Sequence, residues 1–307
     1  MNNVLVLGAN GFIGRHLINR LIPEANVMAY DITIPDETTP YLFIQGDFSR
    51  EEKFEEILKA NKIDTIYHLI STTVPCEGTV HVIQEIEDNV IPTVRLLEAM
   101  KLVGVKRIIF SSSGGTVYGE SKAKGRPNLY TDSVFPICSY GIQKVSIEYY
   151  LNLYNYMHRM MCFSVRISNP YGYMPQKNRT QGVIPILLTR LLLDSSITLY
   201  GETIRDYIHI SDVIEALLRI GYYESNQRTF NIGSGIPTNL HKLIPLMEEA
   251  AGKKFSNVLK QNIRKCDVYE SILDISETVR ELNWEPRISL NDGIRITLGE
   301  LKRSLIK

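Results

Sequence analysis

Val4-Leu5-Val6-Leu7-Gly8-Ala9-Asn10-Gly11-Phe12-Ile13-Gly14 reads as a buried strand, a glycine turn and the opening of a helix. The apolar run Val4–Leu7 is the strand, and Phe12 to Leu21 carries the helical pattern. Glycines between the two let the backbone turn tightly and approach a pyrophosphate, whose charge is favoured at a helix N-terminus. The spacing is GxxGxxG, one residue wider than the usual dinucleotide turn, and by itself it does not separate a ligand site from a plain βα turn. A second strand, Val27 to Tyr30, ends in Asp31, 23 residues after Gly8. An acidic side chain there accepts hydrogen bonds from adenosine ribose hydroxyls and repels a 2′-phosphate, which favours NAD over NADP. The alternative is a solvated residue at a strand end.

The same rhythm continues outward. Tyr41–Gln45 reads as a third strand and Arg50–Ala60 as a charged amphipathic helix. Thr65–Ile70 is a fourth strand, Val82–Leu102 a long helix and Arg107–Ser111 a fifth strand. A helix follows Ser139, then a strand at Phe163–Ile167. Continuous apolar strands alternating with helices predict an α/β fold, a Rossmann-type doubly wound parallel sheet covered on both faces. After Ser168 proline and glycine become frequent and the βα repeat is lost, which predicts a smaller mixed α/β lobe. Phe230-Asn231-Ile232-Gly233 reads as one more strand of the main sheet. The expected division is therefore residues 1–168, completed by about 207–233, with the second lobe formed by 169–206 and 234–307.

Composition narrows the classes. The 34 Lys and Arg balance 34 Asp and Glu, so no net positive field exists to hold nucleic acid. Val183–Leu193 is interrupted by Arg190 and too short to span a bilayer, and no signal-peptide pattern precedes Val4. A soluble cytoplasmic protein without a membrane partner is expected. Cys76, Cys138, Cys162 and Cys266 lie far apart, without CxxC or paired histidines, and read as four idle thiols with no metal site.

Proton-transfer chemistry is suggested by Ser139-Tyr140-Gly141-Ile142-Gln143-Lys144, where tyrosine and lysine share a helix face. Beside an ammonium and an oxidised nicotinamide the phenol is expected to shift toward phenolate and to take a hydroxyl proton while a hydride leaves. The preceding strand ends Phe110-Ser111-Ser112-Ser113-Gly114-Gly115-Thr116-Val117-Tyr118-Gly119, at the sheet edge where ligands bind. Its hydroxyls can bond a reacting oxygen or cap the turn. Asp47 in Gln45-Gly46-Asp47-Phe48 can meet an adenine edge or serve the turn itself.

On these residues the chain resembles the extended short-chain dehydrogenase/reductases that act on nucleotide sugars, in particular the UDP-glucose 4-epimerase-like branch. Further matches are Asp88-Asn89-Val90, Arg166 to Gly172, Gln181 to Pro185 and Arg205-Asp206-Tyr207-Ile208-His209 with Asp212. Phe230 to Gly235, Arg264 before Asp267-Val268, and Leu282 to Pro286 extend the match over nearly the whole chain.

The resemblance implies that Tyr140 is the acid/base, that Lys144 holds the ribose and lowers the phenol's pKa, and that a hydroxyl among Ser112, Ser113 and Thr116 assists. It implies NAD contacts at Gly8, Asn10, Gly11, Phe12, Ile13 and Gly14, and at Asp31, Asp47, Phe48, Leu69 and Ile70. Asn89, Ser111, Tyr140 and Lys144 complete that set. Asn169, Val183, Tyr200, Arg205 and Arg264 would bind a nucleotide sugar, UDP-linked ahead of dTDP-linked, with the two arginines on the diphosphate. A homodimer is expected through the helices from Val82 and Tyr140, with Val145, Ile147, Tyr149, Leu151 and Leu153 as their apolar surface.

Three departures stand out. Glycine occupies the position four residues before Tyr118, where the family's catalytic hydroxyl aligns. His68-Leu69-Ile70-Ser71 replaces a small-residue ending, and the approach Tyr200 to Arg205 is short. The expected reaction is NAD-dependent 4-epimerisation through a 4-keto sugar. The alternative is reduction of a 4-keto-6-deoxy nucleotide sugar, and a non-catalytic NAD-binding regulator on the same fold is a third reading. Gly114-Gly115 stand where a 4,6-dehydratase carries its Asp-Glu pair, which disfavours dehydration.

Overall fold

The computed structural model describes residues 1–35, 38–73, 81–120, 125–174 and 182–305. Along the first half run β1 (Asn3–Leu7), α1 (Phe12–Leu21), β2 (Asn26–Asp31), β3 (Leu42–Gln45), α2 (Phe54–Ala60) and β4 (Thr65–His68). Next come α3 (Val82–Glu85), α4 (Ile91–Val103), β5 (Arg107–Ser113), α5 (Ser139–His158) and β6 (Met161–Ile167). The second half holds β7 (Asn169–Tyr171), α6 (Val183–Leu192), β8 (Ile197–Tyr200), β9 (Ile204–His209), α7 (Ile210–Gly221) and β10 (Thr229–Ile232). It ends with β11 (Pro237–Asn239), α8 (Leu240–Ala251), β12 (Val258–Gln261), β13 (Glu270–Ser271), α9 (Ser276–Leu282) and α10 (Leu290–Leu305).

Seven parallel strands form one sheet in the order β10-β6-β5-β4-β1-β2-β3. The order reverses between β1 and β4, and in such sheets ligands bind at the carboxyl edge of that switch point. Period-two alternation distributes each strand over both faces. Val4 and Val6 join Leu17, Ile18 and Val213 on one face, while Leu5 and Leu7 join Leu58, Leu96 and Ile147 on the other. Smaller sheets, β11-β9-β13 with β7 on β9 and β12 with β8, accompany a separate apolar cluster around Leu188, Leu243 and Leu298.

Differences from the sequence reading have local causes. Instead of one helix over 50–60, a 3-10 turn at Phe48–Arg50 precedes α2. The Asp47 carboxylate accepts the Ser49 N–H at 3.0 Å and the Glu51 carboxylate accepts the Lys53 N–H at 2.9 Å. Such side-chain bonds compete with helical ones. The helix expected over 82–102 is interrupted by a π turn at Ile86–Val90 just before Pro92, whose ring cannot donate to the helical ladder. Gly104, at φ 82°, ends α4 in the left-handed conformation.

Two expectations fail. Cys266 is disulfide-bonded rather than idle, because spacing along the chain does not tell which sulfurs the fold brings together. Cys138 and Cys162 are free and buried, and Cys76 lies outside the described residues. On α5, Val145, Ile147 and Leu151 face the subunit's own core, because the helix packs onto the sheet; Tyr149 and Leu153 remain exposed. Among the described residues no helix is long and apolar enough to cross a membrane.

Candidate active site

The glycine turn sits at the β1 end of the switch point. Gly8 holds φ 81° and its N–H donates to the Tyr30 carbonyl at 2.9 Å. A Cβ on Gly8 would press on the backbone of Leu69 and Ile70 at 3.1 Å, so the end of β4 closes against the turn. A Cβ on Gly14 would stand 2.2 Å from the Gly8 carbonyl oxygen, so only glycine lets α1 begin this close to β1. Phe12 and Ile13 open that helix, whose first N–H groups have no helical acceptor.

Asp31 reaches back to the turn. Its carboxylate accepts the Asn10 N–H at 2.9 Å, the Thr33 N–H at 3.0 Å and the Thr33 hydroxyl at 2.9 Å. These occupy three of about four lone-pair directions, which leaves one for a ribose hydroxyl. Asp47 accepts the Ser49 N–H and hydroxyl and thus serves its turn, while the Phe48 ring is buried against Phe54 and His68. Asn89 is buried with its amide bonded to Thr72 and the Glu85 carbonyl.

β5 runs two residues further than its apolar pattern, pairing Ser112 with Arg166 and Ser113 with Ile167. This brings the Ser113 hydroxyl beside that of the partly buried Tyr140. A Cβ on Gly114 would come within 2.5 Å of the Leu273 side chain and 3.1 Å of the Arg166 carbonyl oxygen, so a hydroxyl-bearing residue here requires Leu273 to shift. Thr116 Oγ1 is buried with no hydrogen-bond partner among the described residues.

Lys144, one turn after Tyr140, donates a 2.8 Å hydrogen bond to the Ser111 carbonyl. Its Nζ lies 4.7 Å from the Phe110 ring centroid and 5.5 Å from that of Tyr140. Burial pushes the ammonium down to about 7, opposed by the Glu148 carboxylate. Burial also pushes the Tyr140 phenol up to about 12, opposed by the Ser113 hydrogen bond. The expected shift toward phenolate is therefore reversed in the protein alone, where burial outweighs the neighbours.

Sequence reasoning assigned no role to four residues here. His68, beside Lys144 in a small cavity, bonds the Thr93 hydroxyl through Nε2 at 2.8 Å and is pushed by burial down to about 3. Glu148 and Arg166 form a buried ion pair at 2.6 Å, and Glu85 accepts from Ser139 and Gln143 at the start of α5. The signal for Glu148 was its position four residues after Lys144, continuing one helix face.

Of the residues expected on the substrate side, Tyr200, Arg205 and Arg264 gather at one end of the second lobe, while Asn169 and Val183 lie on β7 and α6. Asn169 Nδ2 donates to the Asp206 carbonyl at 3.0 Å, and Val183 begins α6, exposed. The Arg205 guanidinium donates to the carbonyls of Ile204, Val268 and Tyr269, so it braces β9 against the segment that follows Arg264. Arg264 pairs with Asp267 at 2.7 Å and lies 5.3 Å over the Tyr200 ring. With Lys260, Gln261 and Asn262 these two line an open cleft of about 610 Å³. Gln181, from the motif before α6, lies outside the described residues.

A glycine turn at the switch point, an acidic residue ending β2 and a Tyr–Lys helix beside β5 define an extended short-chain dehydrogenase/reductase. The chain belongs to the NAD dependent epimerase/dehydratase family, whose model matches residues 4–233, and its cofactor is NAD. It is 36% identical over 309 residues to the dTDP-4-dehydro-6-deoxyglucose reductase of Escherichia coli, covering 95% of each chain. Over 313 residues it is 28% identical to the UDP-glucose 4-epimerase of Mycolicibacterium smegmatis, covering 96% of each. Its fold superposes with a TM-score of 0.93 on the UDP-glucose 4-epimerase of Thermotoga maritima solved with UDP-glucose, at 31% identity and 99% coverage of both chains. The UDP-glucose 4-epimerase of Thermus thermophilus, solved with NAD, gives 0.90 at 27% identity, with 98% of this chain and 99% of that one covered.

Proposed function

We propose that this chain is a 4-epimerase of UDP-hexoses, inverting carbon 4 by oxidation to a 4-keto sugar and reduction from the other face. The observation that carries C4 redox chemistry is the Ser113 hydroxyl set beside Tyr140, with Lys144 one turn further along the same helix. Tyr140 takes the C4 hydroxyl proton, Ser113 donates to the same oxygen, and the Lys144 ammonium favours the phenolate. NAD, when bound, accepts and returns the hydride of carbon 4. Gly8, Gly11 and Gly14 let its pyrophosphate approach the backbone, and Asp31 holds the adenosine ribose. In this reading residues 1–168 with 207–233 carry NAD, and 169–206 with 234–307 carry the sugar nucleotide. Asn169, Arg205 and Arg264 face the diphosphate and Tyr200 the base, while Val183 closes the sugar side. Two copies pair through the exposed Tyr149 and Leu153 face of α5.

A second reading, reduction of a 4-keto-6-deoxy nucleotide sugar, is favoured by the 36% identity to a reductase of that kind. Proton NMR separates the two. The purified protein is given UDP-glucose, UDP-N-acetylglucosamine or UDP-glucuronate with no added cofactor. A new anomeric signal of the 4-epimer supports the epimerase and a retained NAD. Silence on all three, followed by NADH consumption with a dTDP-linked 4-keto-6-deoxy sugar, selects the reductase.

A further inference from the structure

Three consecutive residues of β5 lie along three successive turns of α5. The Ser113 hydroxyl stands beside Tyr140, the Ser111 carbonyl accepts from Lys144 at 2.8 Å, and the Ser112 hydroxyl donates to Glu148 at 2.5 Å. Tyr140, Lys144 and Glu148 are four residues apart and share one helix face. Lys144, Glu148 and Ser112 are all buried. Glu148 is held from its other side by Arg166 on β6, whose Nη2 donates at 2.6 Å and whose Nε spans both carboxylate oxygens at 3.1 and 3.2 Å. Arg166 Nη1 continues to the Tyr118 hydroxyl at 2.8 Å, and that hydroxyl donates to Asn231 on β10 at 2.7 Å. The carboxylate is thereby fixed in place by groups on β5 and β6.

We propose that Glu148, clamped by Arg166 and Ser112, is a positioning residue that sets where the Lys144 ammonium stands between β5 and Tyr140. The inference rests on reading Tyr140 and Lys144 as the reacting pair. A buried anion one turn away stabilises the ammonium against the loss of water around it. The charged or titratable groups around this helix face are Tyr140 and Glu148 on α5, the neutral His68 on β4, Arg166 on β6 paired with Glu148, and Glu85 on α3 bonded to Gln143. Glu148 is the partner whose charge opposes the burial of Lys144.

The test is a pH titration of the Lys144 ammonium by proton–nitrogen NMR of the full chain without substrate, the resonance being assigned by its loss in Lys144→Met. Glu148→Gln removes the anion and is expected to lower the Lys144 midpoint by about one pH unit. Arg166→Gln leaves the anion uncompensated and is expected to raise it. Opposite displacements support the proposal, because a merely structural disturbance moves both variants the same way. Displacement in one direction, or a midpoint fixed to within about 0.2 units, overturns it, that interval being small against the shift expected of a neighbouring charge. If a single variant does not fold, the double variant E148Q/R166Q leaves no charge unpaired. Its midpoint then falls if Glu148 governs Lys144, and stays in place if it does not. The titration needs no turnover, so failure to find 4-epimerisation leaves the result standing, and a fixed midpoint leaves the proposed reaction of Tyr140 untouched.

Discussion

Lys144 Nζ and the Ser111 carbonyl oxygen are 2.8 Å apart, a bond that joins α5 to β5 two residues before the serine beside Tyr140. The hydroxyls of Ser113 and Thr116 are distinguished by their surroundings: Ser113 stands beside Tyr140, whereas Thr116 Oγ1 is buried with no hydrogen-bond partner among the described residues. Tyr140→Phe is expected to lower turnover by at least about 10²-fold, as for loss of a general acid/base. Ser113→Ala is expected to lower it by about 10- to 100-fold, the size of a hydrogen bond to a charged group, and Thr116→Ala by less than about threefold. Steady-state rates on the substrate found by NMR check the order. A reversed ranking assigns the assisting hydroxyl to Thr116, and a Tyr140→Phe protein that keeps its full biological effect points to a non-catalytic role.

Gly14 faces the Gly8 carbonyl oxygen at 2.2 Å from its virtual Cβ and that of Ala9 at 2.8 Å. Both obstacles are backbone, so they cannot swing aside. Gly14→Ala is expected to destabilise the chain by about 1–3 kcal/mol, as overpacking does, and to weaken NAD binding as the turn opens. Thermal melts and calorimetric titration with NAD measure both effects, and a melting temperature within about 1 °C of wild type would refute the close packing inferred here.

Much of this geometry was legible in the sequence because the chemistry is local. The strand–turn–helix from Val4, the acid ending β2 and the Tyr140–Lys144 spacing are each set within a few residues, and the parallel sheet follows from the βα rhythm. Contacts between distant segments were hidden. Nothing near Gly114 in the chain announces that Leu273 lies over it, and nothing near Ser112 announces Arg166 behind Glu148. The inward-facing Val145, Ile147 and Leu151 were mistaken for surface because α5 is apolar on more than one face, leaving Tyr149 and Leu153 outside.

His68 makes stability depend on acid pH. The Thr93 hydroxyl donates to the Asn89 carbonyl at 2.6 Å, so it accepts from His68 Nε2, which leaves a neutral ring between Phe48 and Phe110. Burial depresses the folded pKa from 6.5 to about 3, so between those values the unfolded chain binds a proton that the folded chain does not. The His68 contribution to stability is therefore fully present above about 6.5 and declines as pH falls toward 3. His68→Gln, which keeps an N–H for Thr93, is expected to lose less of its melting temperature between pH 7 and pH 5 than wild type does, both being set as assay conditions within this window. Equal losses would place the acid-sensitive group elsewhere.

Asp31 stands in the turn and at the proposed ribose position, so its removal is expected to act on cofactor choice more than on folding. Asp31→Ser shortens the acid and removes the charge that repels a 2′-phosphate. Affinity for NAD is expected to fall by about tenfold, the size of one lost charge-assisted hydrogen bond, while affinity for NADP rises. Calorimetric titration with the two dinucleotides reads the ratio directly, and an unchanged NAD/NADP preference would remove Asp31 from the cofactor site.

Arg205 and Arg264 share a proposed role but not a structural one. Arg205 is partly buried and donates to three backbone carbonyls, and burial holds its pKa below the usual guanidinium value. Arg264 is half exposed in an ion pair with Asp267, the kind of pair whose loss costs at most about 1 kcal/mol. Arg264→Ala is therefore expected to raise KM for the nucleotide sugar by about tenfold or more, as for a lost contact to a charged diphosphate, with a melting temperature near wild type. Arg205→Ala removes the guanidinium that ties those carbonyls together, the Tyr269 carbonyl keeping the Ile204 N–H at 2.9 Å, and is expected to lower the melting temperature as well, by several degrees. Parallel melts and KM measurements on the two variants separate a residue that binds from one that both binds and braces. If Arg264→Ala leaves KM unchanged, the cleft at Tyr200 is not where the diphosphate lies.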